Sequence, residues 1–233
     1  MKKRIWELDA LRGLCIIGVV LVHLVYDLVE MFGILNWHYP DWFAFIKDWG
    51  GVIFLILSGV CVTLGSHHIR RGIIVLCGGA LCTMATYAMT KFGFDSSVII
   101  YFGVLDCLGS CMILWSMYRA LPWWALVFHG AVLIWTGFLL PNLVAPEPWM
   151  VILGFNLPGF CSSDYFPLLP YLGFFILGAA LGRVLYKNKQ SLIPCFDSKT
   201  PVLRQLCFCG RHSLWIYLLH QPVLAGICYL LTL

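Results

Sequence analysis

The sequence predicts an all-α fold: a polytopic membrane helix bundle of about seven transmembrane helices, with a cytoplasmic N-terminus and an outer C-terminus. Three observations carry that prediction. Hydrophobic residues make up 61% of the 233 residues and charged residues only 11%, against about 25% charged in a soluble domain. Apolar runs near the ~20 residues that a membrane helix needs alternate with short polar breaks. Lysine and arginine concentrate in alternate breaks.

Seven runs qualify, at about 11–32, 43–65, 72–90, 97–118, 122–140, 165–186 and 207–232. The breaks "NWHYPDW", "GSHHIRRG", "KFGFDSS" and "RALPWW" carry the Pro and Gly expected of helix ends. No internal repeat is evident, and residues 1–233 read as a single transmembrane domain. "MKKR" opens like a signal peptide, but "IWELDALRG" is too polar for an immediate apolar region, so the first span is expected to be retained.

Charge sets the orientation. With the N-terminus inside, the inner segments hold Lys2, Lys3, Arg4, Arg12, Arg70, Arg71, Arg119, Arg183, Lys187, Lys189, Lys199, Arg204 and Arg211, leaving only Lys47 and Lys91 outside. That bias follows the positive-inside rule and implies a multi-pass protein of the plasma or inner membrane. Trp37, Trp42, Trp49 and Trp149 suit the outer interface, and Trp6, Trp123 and Trp124 the inner one. The net charge of +4 includes no long basic run, which argues against nucleic acid as a partner. Membrane lipid is the implied surrounding, and a second copy of the chain remains an open partner.

Two loops are long. The inner "KNKQSLIPCFDSKTPVLRQ" is basic, as a solvated positive-inside loop would be. The outer "PNLVAPEPWMVILGFNLPGFCSSD" contains an apolar hexamer too short to span and reads as an interfacial flap. Most of the eleven cysteines fall within predicted spans and no pair of CxxC motifs occurs. They read as packing residues, and no metal centre is expected.

The first span contains a polar stripe, "LDALRGLCIIGVVLVHLVYDLVE". At 100° per residue, His23 lies about 20° around the helix from Arg12 and Asp27 about 60°, so the three share a face; His23 sits about 16 Å along from Arg12. His23 and Asp27 are one turn apart, close enough for the carboxylate to orient the imidazole. An ionised group facing lipid at that depth costs ~2.5–3.5 kcal/mol or more, so the stripe should face a protein interior or a water-filled cavity.

Other spans carry similar groups. The fourth holds Asp106. The seventh, "GRHSLWIYLLHQPVLAG", places Ser213, Tyr217 and His220 on one face, followed by Gln221 and Pro222. Pro222 has no N–H for the carbonyl of Leu218, which is left for a ligand or neighbour. Ser58-Gly59 in the second span reads as close helix packing, and His129 in the fifth as structural. Two other classes fit the same residues. His23, His129 and His220 can be imagined as heme ligands of a redox protein, and a transporter would line its path with polar groups.

"LDALRGLCIIGVVLVH", an arginine followed eleven positions on by a histidine, resembles the first helix of the membrane acyltransferase-3 family, and "FLILSG" resembles its second-helix signature. The wider resemblance is to small bacterial relatives of the heparan-α-glucosaminide N-acetyltransferase catalytic domain. It rests on "WELDALRG", "YFGVLD", "DYFPLLPYLGFFILGAALGR" and "GRHSLWIYLLHQPV", in this order over nearly the whole chain. It implies transfer of an acyl group, usually from acetyl-CoA entering on the cytosolic side, to an amine or hydroxyl, commonly of a sugar, on the other. Donor-binding candidates are then Arg12, Arg211 and Ser58. His23 is the candidate base or acyl relay, with Asp27 holding its tautomer. Asp106, Asp164, Ser213, Tyr217, His220 and Gln221 are the substrate-binding candidates. Two departures stand out. Asp106 occupies a position where the bacterial relatives usually carry His. In the larger lysosomal enzyme the residue matching His23 looks like Asn and its relay His lies further on, where His38 is the candidate counterpart.

Overall fold

The computed structural model describes residues 5–193 and 200–232. Lys2, Lys3, Arg4 and Lys199, counted above as inner cations, lie outside the described residues. Among the described residues eight α-helices follow in order: α1 Trp6–Tyr26, α2 Asp41–Val62, α3 His68–Thr90, α4 Val104–Tyr118, α5 Trp123–Leu139, α6 Leu168–Leu185, α7 Pro201–Arg211 and α8 Ser213–Leu231. No strand occurs among the described residues, only two isolated bridges, Phe102 with Tyr165 and Val144 with Asn156.

Among the described residues five helices are long and apolar enough to cross a membrane: α1 with the turn that continues it (Trp6–Met31), α3, α5 with its terminal turn (Trp123–Asn142), α6 and α8. α2 becomes a sixth if its two parts, bent by 40° around Lys47–Trp49, form one span. The bend lies just before Gly50-Gly51, where the backbone is least constrained. The expected seven runs therefore reduce to five or six by length and composition.

The fourth expected run departs most. α4 has only 15 residues, about 22 Å of helix, because residues 99–103 stay extended. Ser163 N–H donates to Ile99 at 3.1 Å and Phe166 N–H to Phe102 at 2.9 Å, zipping the two segments together. The seventh run is split as well: His212 leaves helical geometry, so residues 207–211 complete α7, whose polar face (Arg204, Gln205, Arg211) would not suit a span. The apolar hexamer of the flap forms a 3-10 turn over Pro148–Leu153, ended by left-handed Gly154 (φ 110°).

The chain divides into two compact units, one of Met1–Phe54 with Gln190–Leu233, the other of Leu55–Lys189. In the first, α1 packs on α7 and α8. A Cβ on Gly13 would strike the Leu206 carbonyl, and one on Gly210 the Asp9 carbonyl, so the α1 and α7 backbones touch. Buried Glu7 pins the chain before α7 by accepting from Ser191 Oγ and Leu192 N–H, both at 2.8 Å.

In the second unit α5 packs on α6 and α3 on α4. These contacts also run backbone to backbone, through Gly130 with Gly173 and Gly72 with Gly109. The last turns of α2 meet α6 where Gly59 lies against the Phe175 carbonyl and Gly178 against that of Ile56. Without a hydrophobic drive between helices in lipid, such close approach is what holds membrane helices together. Leu55, Leu126, Phe175, Ile176, Cys107 and Cys111 are fully buried here. Leu14, Leu21, Trp135, Trp215 and Leu230 stay exposed, an apolar exterior suited to lipid.

Candidate active site

The polar stripe of α1 meets α8 within the first unit. The His23 and His220 rings approach edge to face, centroids 4.8 Å apart. Asp27 is wholly buried, and its Oδ1 accepts from Gln221 Nε2 at 2.8 Å. His220 Nδ1 bonds the Tyr217 carbonyl. Because that carbonyl can only accept, Nδ1 carries the proton, and in the neutral ring Nε2 holds a lone pair.

Local winding positions this group. From Asp27 to Met31 the helix opens into a π-turn, closed by Phe32 N–H donating to the Asp27 carbonyl at 2.9 Å. Ordinary α-winding runs as far as Asp27, whose N–H donates to the His23 carbonyl, so the two side chains stand one turn apart as expected. The carboxylate nevertheless turns to Gln221, and no His23–Asp27 hydrogen bond forms. Glu30, within the same wide turn, is exposed.

Three buried polar atoms of this cluster have no hydrogen-bond partner: Asp27 Oδ2, His220 Nε2 and Gln221 Oε1. Each such atom costs about 1–3 kcal/mol, and three in one place mark a site that a polar ligand would satisfy. Tyr217 lies beside His220, ring centroids 5.3 Å apart, and Ser213 is half-buried at the start of α8.

Arg12 and Arg211 flank one crossing. Each adjoins one of the glycines, Gly13 and Gly210, at which α1 and α7 touch. Arg12 makes no hydrogen bond among the described residues, whereas Arg211 donates from Nε to the Cys207 carbonyl at 3.0 Å. His38 is exposed on the connection between α1 and α2 and takes no part in the His23–His220 contact.

The remaining candidates belong to the second unit. Ser58 is 3% exposed, one residue before the Gly59 contact with α6. Asp106 Oδ2 accepts from Gly103 N–H at 3.1 Å and Asp164 Oδ2 from Val104 N–H at 3.0 Å. Both carboxylates thus sit on the positive end of α4. Gly79 makes room for Asp106, since a Cβ there would meet its carboxylate. His129 bonds its own helix through Nδ1 and the Ala125 carbonyl at 2.7 Å. Among the described residues no cluster of three or more His, Cys, Asp or Glu could hold a metal ion.

Pairing of His23 with His220 was not legible. Both residues were singled out, but only tertiary packing brings α1 and α8 together. The unpaired atom of Gln221 had no sequence signal beyond its place after His220.

Membrane-length helices around a buried imidazole, carboxylate and amide group define a multi-pass membrane protein with an intramembrane polar site. The chain belongs to the heparan-alpha-glucosaminide N-acetyltransferase catalytic family, whose model matches residues 4–222. Membership implies a membrane acetyltransferase. Searches of characterised proteins and of solved structures find no significant match.

Proposed function

We propose that this protein is an acyl-CoA-dependent acetyltransferase of the cell membrane. In this reading it carries an acetyl group from cytosolic acetyl-CoA to an amine or hydroxyl of an extracytoplasmic acceptor, a sugar by analogy with the family. The observation that carries it is the trio of unpartnered buried atoms on Asp27, His220 and Gln221 beside His23.

The chemistry asks for a base where the acceptor meets the thioester. An imidazole takes the proton of the attacking N–H or O–H as the new bond to the acetyl carbon forms. The C–S bond breaks, and the same proton passes to the departing thiolate. His23 is the candidate base or acyl relay. The His220 Nε2 lone pair, 4.8 Å away ring to ring, supports a second proton-accepting position. Asp27, fixed by Gln221 one helical turn from His23, supplies negative charge for an imidazolium.

Arg12 and Arg211 carry the charge that CoA phosphates need, and Ser213 and Tyr217 continue the polar face of α8 from Arg211 to His220. The backbone bonds of Asp106 and Asp164 favour a role in holding the α4 terminus over direct contact with substrate. An N-in orientation follows from the cation bias and puts the two arginines on the donor side. The direct ring contact of His23 with His220 leaves no porphyrin plane between them, which counts against a heme shared by that pair.

The decisive experiment supplies the purified protein with radiolabelled acetyl-CoA and a panel of amino sugars and sugar alcohols. Label should move to an acceptor, and His23→Ala should not move it. Label that never leaves CoA with any acceptor would favour a transporter.

A further inference from the structure

The second unit contains a cleft whose lining residues have no role in the proposed function. It has a volume of about 520 Å³, within the range of small-molecule sites. Its walls come from the ends of α2, α4 and α6 and the connection into α3. Arg119, Arg183, Lys187 and Lys189 line it, and no carboxylate does. Arg71 adds a fifth cation, its guanidinium packed on Gly65 of the cleft wall.

Part of that charge has a structural duty. Three helix C-termini converge here, with their partial negative charge. Arg183 answers it: its guanidinium donates to the carbonyls of Leu121 and Arg119 and stacks on Trp115, 5.3 Å from the ring centroid. With Arg183 so engaged, Arg119, Lys187 and Lys189 are surplus to that need. Arg119 and Lys187 are exposed at the rim. Lys189 sits there on a left-handed backbone (φ 53°), which a turn from Tyr186 holds in place and which lysine rarely adopts. The opposite wall leads into α3, whose N-terminus has no side-chain cap, so its first N–H groups add donors beside Ser66 and His68.

We infer that this cleft binds a phosphate ester. A volume of this size exceeds a single phosphate and suits one carried on a larger body, either a soluble nucleotide such as CoA or the headgroup of an anionic phospholipid. Only the nucleotide source rests on the donor reading given above.

The test uses the full chain in nanodiscs of neutral lipid. Calorimetry measures binding of 3′,5′-ADP and of CoA to the parent, to Arg119→Gln/Lys187→Gln and, as a charge control, to Arg204→Gln. For a nucleotide, the double variant should bind about tenfold or more weakly with a flatter salt dependence, and Arg204→Gln should bind within twofold of the parent. For a lipid, added phosphatidylglycerol should raise the melting temperature of the parent more than that of the double variant, with nucleotide binding equal in both. Either pattern upholds the inference. If neither ligand distinguishes the double variant from the parent, the inference is overturned. Cleft-dependent 3′,5′-ADP binding in a protein that transfers no acetyl group would sink the enzyme reading and leave the cleft standing.

Discussion

His220 has its tautomer decided by one backbone atom, the carbonyl of Tyr217. Its free Nε2 therefore points to proton transfer in a way that the sequence position alone did not. Replacing either histidine by alanine should lower turnover about a hundredfold or more while leaving CoA affinity within twofold, as initial rates and calorimetry would report. If His220→Ala alone kept full turnover, His23 would stand as the sole base. Gln221 has a separate duty, because its amide is the partner that the structure gives to buried Asp27. Gln221→Ala should destabilise the protein by about 1–3 kcal/mol, read as a lower melting temperature in detergent. Arg12 lies at the helix crossing without a hydrogen-bond partner among the described residues. Arg12→Ala should raise KM for acetyl-CoA about tenfold with kcat little changed. A fall in melting temperature without a change in KM would mark it instead as an anchor.

Among the elements, helix contacts made through glycine are where substitution should cost most. A side chain at Gly13 meets the Leu206 backbone and one at Gly59 meets that of Phe175, and neither backbone can swing away as a side chain would. Gly13→Val and Gly59→Val should each destabilise by about 1–3 kcal/mol or more, whereas Gly18→Ala, with nothing within 4 Å, should melt like the parent. The sequence made part of this visible. Ser58-Gly59 was readable as packing because small residues in an apolar run have few other uses. Gly13 hid inside "WELDALRG", and its partner Leu206 lies in α7 just before the apolar run 207–232, which took in only the end of that helix. The break at His212 was illegible because apolar content rises across it, and only backbone geometry separates amphipathic α7 from apolar α8. α4 was overextended for a related reason: the run 97–118 is apolar enough to span, but residues 97–98 close a 3-10 turn and 99–103 are held extended by pairing with 163–166.

For the whole molecule, composition alone carried the class: an 11% charged chain has too little polar surface to fold in water. The number of spans was harder, because α2 bends by 40° and α4 stops at 15 residues, neither of which the apolar runs foretell. The cation bias still makes a definite claim about topology. Accessibility mapping with a membrane-impermeant thiol reagent should label Cys161 from outside intact cells and leave Cys209 unlabelled until the membrane is opened. The reverse pattern would invert the donor and acceptor sides of the proposed reaction.

The wide turn at Asp27–Met31 also bears on how the chain tolerates editing. A π-turn spreads one more residue over its span than α-winding uses, so it is the place where the chain can lose an amino acid most cheaply. With one of residues 28–30 deleted, the helix should close to regular winding and the segments on either side should keep their relation. The Asp27 side chain stands on the α-wound side of that turn, so its bond to Gln221 should persist. Such a deletion is expected to express, melt and transfer acetyl groups much like the parent, separating the wide turn from the chemistry of the first helix with a single codon.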